Sequence, residues 1–132
     1  MITCIDYGRG NLFSLGQAIR HLGGEYHISS SADEITNAEK LLLPGVGAFG
    51  DGMQRLRDLG LVDAIQNAAE RGIPVLGICL GMQLLADESE EYGRHKGLGL
   101  IQGTVHRLPS QAVKDVPVRI PNVGWRELNL VN

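Results

Sequence analysis

Pro74-Val75-Leu76-Gly77-Ile78-Cys79-Leu80-Gly81-Met82-Gln83-Leu84-Leu85 decides the fold of this chain. The apolar run Ile73 to Ile78 reads as a buried strand, with Pro74 tolerable near its start. A helix begins at Leu80. Between the two lies Gly-x-Cys-x-Gly, the sulfur version of the nucleophile elbow. A strand turning sharply into a helix holds the apex residue in a strained conformation. The residues two before and two after the apex pack close together, so both must be small; here they are Gly77 and Gly81. The amide groups opening the helix point at the Cys79 sulfur and favour its thiolate form. The Leu80 N–H is placed to hold an oxyanion. Read alone, the motif also suits an inert thiol in a glycine-spaced packing contact. The strand before it and the helix after it favour the nucleophile.

Leu43-Pro44-Gly45-Val46-Gly47-Ala48-Phe49-Gly50 follows a second apolar run, Leu41 to Leu43. Its glycines therefore fall at the carboxyl edge of a sheet, where open α/β folds bind ligands. They let backbone N–H groups face a developing negative charge, which makes Gly47 a candidate second oxyanion donor beside Leu80. A plain glycine-rich turn is the alternative for this stretch alone.

Further out, Ile2 to Ile5 is a short strand. Leu12, Leu15, Ile19 and Leu22 recur at helical spacing and Gly23-Gly24 stops them. Glu25 to Ser29 fits a strand, and Ser31 with Glu34 fits a capping box. Leu61, Ile65 and Ala68 mark one face of a further helix, closed by Gly72. Strands alternating with helices mean βαβ units and a parallel sheet. After about Glu91 the pattern shortens. Thr104 to Leu108, Val116 to Ile120 and Trp125 to Val131 read as strands or hairpin arms. The fold class is α/β, doubly wound and mostly parallel, with short antiparallel elements towards the end. Residues 1–132 form a single domain.

Composition agrees. Of 132 residues, 43% are hydrophobic and the net charge is −3. That excludes disorder and the basic excess of a nucleic-acid binder. The longest helix-compatible apolar run is too short for a membrane span, and the start carries no secretory signal pattern. Two cysteines, Cys4 and Cys79, suit a reduced cytoplasmic setting. His21, His27, His95 and His106 lack ligand spacing, so no metal site and no cofactor are expected.

The two glycine-rich stretches together closely resemble the class I (triad-type) glutamine amidotransferases. Asp6-Tyr7-Gly8-Arg9-Gly10-Asn11-Leu12, Gly97-Leu98-Gly99-Leu100-Ile101 and Pro121-Asn122-Val123-Gly124-Trp125 are similar to the branch that supplies ammonia for imidazole glycerol phosphate formation in histidine biosynthesis. The resemblance implies that Cys79 attacks the carboxamide carbon of glutamine and forms a glutamyl thioester. It implies Gly47 and Leu80 as the oxyanion hole, with Gln83 and Glu91 contacting bound glutamine, Glu91 at the α-ammonium. It implies a (β/α)-barrel synthase subunit as partner in a heterodimer, docked on Asn11, Pro121, Asn122 and Trp125. An exposed acidic run such as Glu88-Ser89-Glu90-Glu91 is otherwise ordinary solvated surface, and Trp125 is otherwise a core residue.

Two departures stand out. The family completes its triad with His-x-Glu after the elbow, because a base must carry a proton to the leaving ammonia. Here His95 is followed by Lys96-Gly97 and His106 by Arg107-Leu108. The chain thus reads as the amino-terminal part of a longer protein, inactive in turnover by itself. Asn122 stands where the histidine branch usually has His, which keeps open a relative feeding a synthase that amidates a surface sugar. Other readings are weaker. Gly8-Arg9-Gly10 suggests a dinucleotide module, but Phe13 occupies the third glycine position. A cysteine peptidase or redox-type protein with this elbow would usually carry His in place of Leu80. A non-catalytic, partner-binding subunit is the remaining class.

Overall fold

The computed structural model describes residues 1–108, 120, 121, 124, 125, 127 and 129. Strands β1 (Ile2–Ile5), β2 (Tyr26–Ser29), β3 (Leu41–Leu43) and β4 (Val75–Gly77) form one parallel sheet in the order β2-β1-β3-β4. Helices α1 (Leu12–His21), α2 (Ala32–Thr36), α3 (Phe49–Asp58) and α4 (Leu61–Glu70) supply the crossovers, and α5 (Leu80–Leu84) follows β4. A second sheet, β5 (Ala86–Ser89), β6 (His95–Lys96) and β7 (Ile101–Val105), has the order β6-β5-β7. Within it β5–β6 is antiparallel and β5–β7 parallel, so only one of the added pairings is antiparallel.

Alternation along β1 and β3 sorts the core into two. Ile5, Leu41 and Leu43 face α2, α3, α4 and α5, whose Ile35, Phe49, Met53, Leu56, Ile65 and Leu84 complete the larger cluster. Cys4 and Leu42 face the opposite side, under Leu12, Leu15 and Ile19 of α1. Burying each Leu or Ile contributes about 1.5–3 kcal/mol, so Leu43, with no exposed surface, is a position where truncation to Ala costs several kcal/mol.

The expected helix around Leu61 is preceded by a separate one. The break falls at Leu59-Gly60, where Gly60 takes a left-handed φ of 67° that restarts the chain as α4. The expected capping box is half formed: Ser31 Oγ accepts from Glu34 N–H, while the Glu34 carboxylate turns to His27.

The strand preceding the elbow is not buried. Cross-strand register lines up Ile28, Cys4, Leu42 and Leu76 on the α1 side. Helix α1 covers only the middle of that row. Leu76 is 58% exposed and Ile78 40%, because β4 is an edge strand of this sheet among the described residues. In the expected strand from Trp125 to Val131, the described residues Trp125, Glu127 and Asn129 are not in a strand. Val116 to Arg119 lie outside the described residues.

Candidate active site

Parallel topology brings the carboxyl ends of β1, β3 and β4 to one edge. The loops after them carry Asp6–Asn11, Pro44–Ala48 and Ile78–Cys79. Cys79 sits at the apex between β4 and α5 with φ 57° and ψ −120°, a conformation L side chains rarely adopt. Its thiol is free and exposed.

The flanking glycines do what the motif requires. A Cβ on Gly77 would lie 2.5 Å from the Met82 Cα and 2.6 Å from its amide nitrogen. A Cβ on Gly81 would run into the Leu43 carbonyl oxygen. Both obstacles are backbone, so neither can move aside. The Ile78 amide donates to Leu43 O at 2.9 Å and seats the elbow on β3.

The Gly45–Ala48 loop lies directly over this turn. A Cβ on Gly45 would meet the Gly81 amide nitrogen and the Leu80 Cβ at 2.9 Å. Leu80 N–H, the first expected oxyanion donor, donates to Gly45 O at 3.3 Å. That bond is long, so an oxyanion competes with a weak acceptor rather than a strong one. Gly47, the second expected donor, is exposed with φ 107°, and a Cβ there would lie 3.7 Å from the Arg9 guanidinium.

Gln83 and Glu91 come together. Both line a cavity of about 620 Å³, with Glu90, Tyr92, Val105, His106, Arg107 and Ile120. The Gln83 backbone N–H donates to Cys79 O at 3.2 Å, one turn into α5. Opposite, His106 Nδ1 lies 2.9 Å from Glu90 Oε2. The acidic run is therefore more than solvated surface: Ser89 is fully buried, Glu88 pairs with Arg94 at 2.8 Å, and Glu91 Oε2 accepts the Phe49 amide at 2.7 Å. Arg94 holds the Glu88 carboxyl below its ordinary range.

Tyr7 is a residue that sequence reading did not single out. It is 1% exposed, and its hydroxyl donates to Pro44 O at 2.9 Å. Burial pushes its phenol up to about 12; Arg9 pulls it back in part and Cys79 adds to the rise. Its neighbours in sequence gave the only signal, a Tyr among glycines at a strand end.

The expected docking residues divide. Asn11 caps α1, its side chain accepting from Ser14 N–H at 3.1 Å, and lies at the same sheet edge as Cys79. Pro121 is exposed, and Trp125 is fully exposed rather than in the core. Asn122 lies outside the described residues. Among the described residues no group of His, Cys, Asp and Glu could hold a metal ion. No helix among them is long and apolar enough to cross a membrane.

The family profile described as glutamine amidotransferase class-I matches residues 3–123. The chain is 49% identical, over 97% of its length, to imidazole glycerol phosphate synthase subunit HisH of Geobacillus thermodenitrificans, covering 60% of that protein. It is 45% identical, over 96% of its length, to subunit HisH 1 of Legionella pneumophila, covering 60% of it. It thus spans about three-fifths of the length of these relatives. A solved structure titled glutamine amidotransferase shares the fold, with a TM-score of 0.69 at 23% identity over 81% of this chain and 57% of the other.

Proposed function

The chain belongs to the class-I glutamine amidotransferase family, and on that premise we propose that it is the nucleophile-bearing part of a glutaminase subunit. Cys79 Sγ attacks the carboxamide carbon of glutamine, and the carbonyl π electrons move to oxygen. The oxyanion is held by the N–H groups of Leu80 and Gly47. Collapse of this intermediate expels ammonia once its nitrogen is protonated and leaves a glutamyl thioester; water then releases glutamate and the free thiol. Gln83 and Glu91 hold the amino-acid end of glutamine, Glu91 through the α-ammonium.

The observation that carries this reading is the Cys79 backbone. An exposed thiol at φ 57°, pinned by two glycines that tolerate no side chain, serves reactivity rather than packing. The ammonia goes to a (β/α)-barrel synthase subunit of imidazole glycerol phosphate formation. That partner docks in a cytoplasmic heterodimer on the edge carrying Asn11, together with Pro121, Asn122 and Trp125. No His two residues before a Glu follows Cys79 in this chain. The leaving nitrogen therefore lacks its proton carrier, so the 132-residue chain neither expels ammonia from glutamine nor turns over.

The test is direct. A chloroketone analogue of glutamine should alkylate Cys79 faster than iodoacetamide does, with glutamine protecting. The same sample should release no ammonia at steady state. Equal rates for the two reagents refute the glutamine site, and sustained ammonia release refutes the missing base.

A further inference from the structure

The Gly45–Ala48 loop is held at each end by a side chain from elsewhere in the fold. At its amino end stands the buried Tyr7–Pro44 hydrogen bond. At its carboxyl end Glu91 Oε2 accepts from Phe49 N–H at 2.7 Å, across 42 residues of chain. Phe49 is the first residue of α3, and Ala48 before it has no side chain able to cap the helix. A carboxylate there makes a charge-assisted bond and complements the helix dipole. Glu91 is aimed by a tight turn: its N–H donates to Ser89 Oγ at 3.1 Å, and Tyr92 after it takes a left-handed φ of 52°. The same Glu91 lines the cavity with Gln83, and its Oε1 has no protein hydrogen bond among the described residues.

We propose that Glu91 is a positioning residue whose carboxylate couples occupancy of the cavity to the seating of the Gly45–Ala48 loop on the Cys79 elbow. The inference rests on the glutaminase reading for the occupant, an amino acid presenting its α-ammonium. An ammonium on Oε1 fixes the carboxylate over Phe49, so an occupied cavity locks the loop that carries Gly47. An empty cavity leaves the Phe49 amide on a carboxylate whose second oxygen has no protein partner among the described residues.

Amide exchange at Phe49 and alkylation at Cys79 test this in the 132-residue chain, with and without millimolar glutamine. Glu91 is solvent-exposed, so its variants keep the fold. In the unsubstituted chain, glutamine should slow exchange at Phe49. Glu91→Ala should raise that exchange about fivefold and abolish the glutamine effect. Glu91→Gln, whose amide oxygen still accepts from Phe49, should restore slow exchange yet stay indifferent to glutamine. A purely structural cap would give Glu91→Gln the full glutamine response. That response, or unchanged Phe49 exchange in Glu91→Ala, overturns the proposal. Selective chloroketone labelling with no glutamine effect at Phe49 overturns the coupling alone. Absence of both overturns the glutaminase reading and the coupling together.

Discussion

The amide of Leu80 and the carbonyl of Gly45 face each other at 3.3 Å, joining the turn after β3 to the turn after β4. The Cys79 elbow is therefore roofed by backbone, and that roof sets which glycines can change. Gly45→Ala drives a methyl into the Tyr7 hydroxyl and the Leu80 side chain; Gly81→Ala drives one into Leu43 O. Each should lose about 3 kcal/mol or more in urea unfolding, at the upper end of overpacking costs. Gly60→Ala and Gly72→Ala, with nothing within 4 Å, pay only for left-handed backbone, about 1–2 kcal/mol. Equal losses at all four positions would contradict the roofed elbow.

The two thiols should behave oppositely. Cys79 is exposed, whereas Cys4 is 1% exposed under α1 and burial pushes its thiol up. Brief iodoacetamide treatment at neutral pH, read by peptide mass spectrometry, should modify Cys79 alone. Cys79→Ser should then leave the native chain unmodified, and urea should expose Cys4.

Tyr7 links stability to alkaline pH. Its folded-state value, about 12, lies above the ordinary value of 10.0. The neutral phenol is thus favoured by folding. Its contribution is full below pH 10 and drains away as pH rises towards 12. The loss is of order 2 kcal/mol at the top of that window. Tyr7→Phe should lower the urea midpoint at pH 8, by the about 1 kcal/mol of one buried hydrogen bond, and should flatten the decline above pH 10. A parallel decline in both proteins would place its cause elsewhere.

Leu76 and Ile78 present apolar side chains beside the edge of β4 that no strand pairs among the described residues. An uncovered apolar edge strand is a template for association. Sedimentation should show concentration-dependent self-association. Leu76→Lys should reduce it while changing unfolding free energy by no more than about 0.5 kcal/mol, the range of surface substitutions. Unaltered association in that variant would clear β4 of the role.

Local rules carried the sequence reading a long way. The runs Ile2–Ile5 and Leu41–Leu43 became strands because apolar side chains on both faces need covering on both. Ser31 stands at a helix start because its side-chain oxygen satisfies a free amide nearby. Gly77, Cys79 and Gly81 announced the elbow because a strand-to-helix turn excludes side chains two residues either side of its apex. The reading failed where a residue's fate depends on what lies across the fold. Ile73–Ile78 has the same apolar texture as Leu41–Leu43, yet one strand is at the edge and the other is central, and texture carries no strand order. Glu91 sits in a run of acidic residues that looks like any solvated surface, and its bond to Phe49 spans 42 positions. Tyr7 reads as an ordinary aromatic until the β3 turn closes over it. Local geometry that depends on spacing along the chain was thus written in the sequence: the strand-to-helix elbow, its glycine flanks and the Ser31 cap. The bracing of the Gly47 loop by Tyr7 and Glu91 was decided only by tertiary packing, because hydrogen bonds form between atoms near in space whatever their distance in sequence.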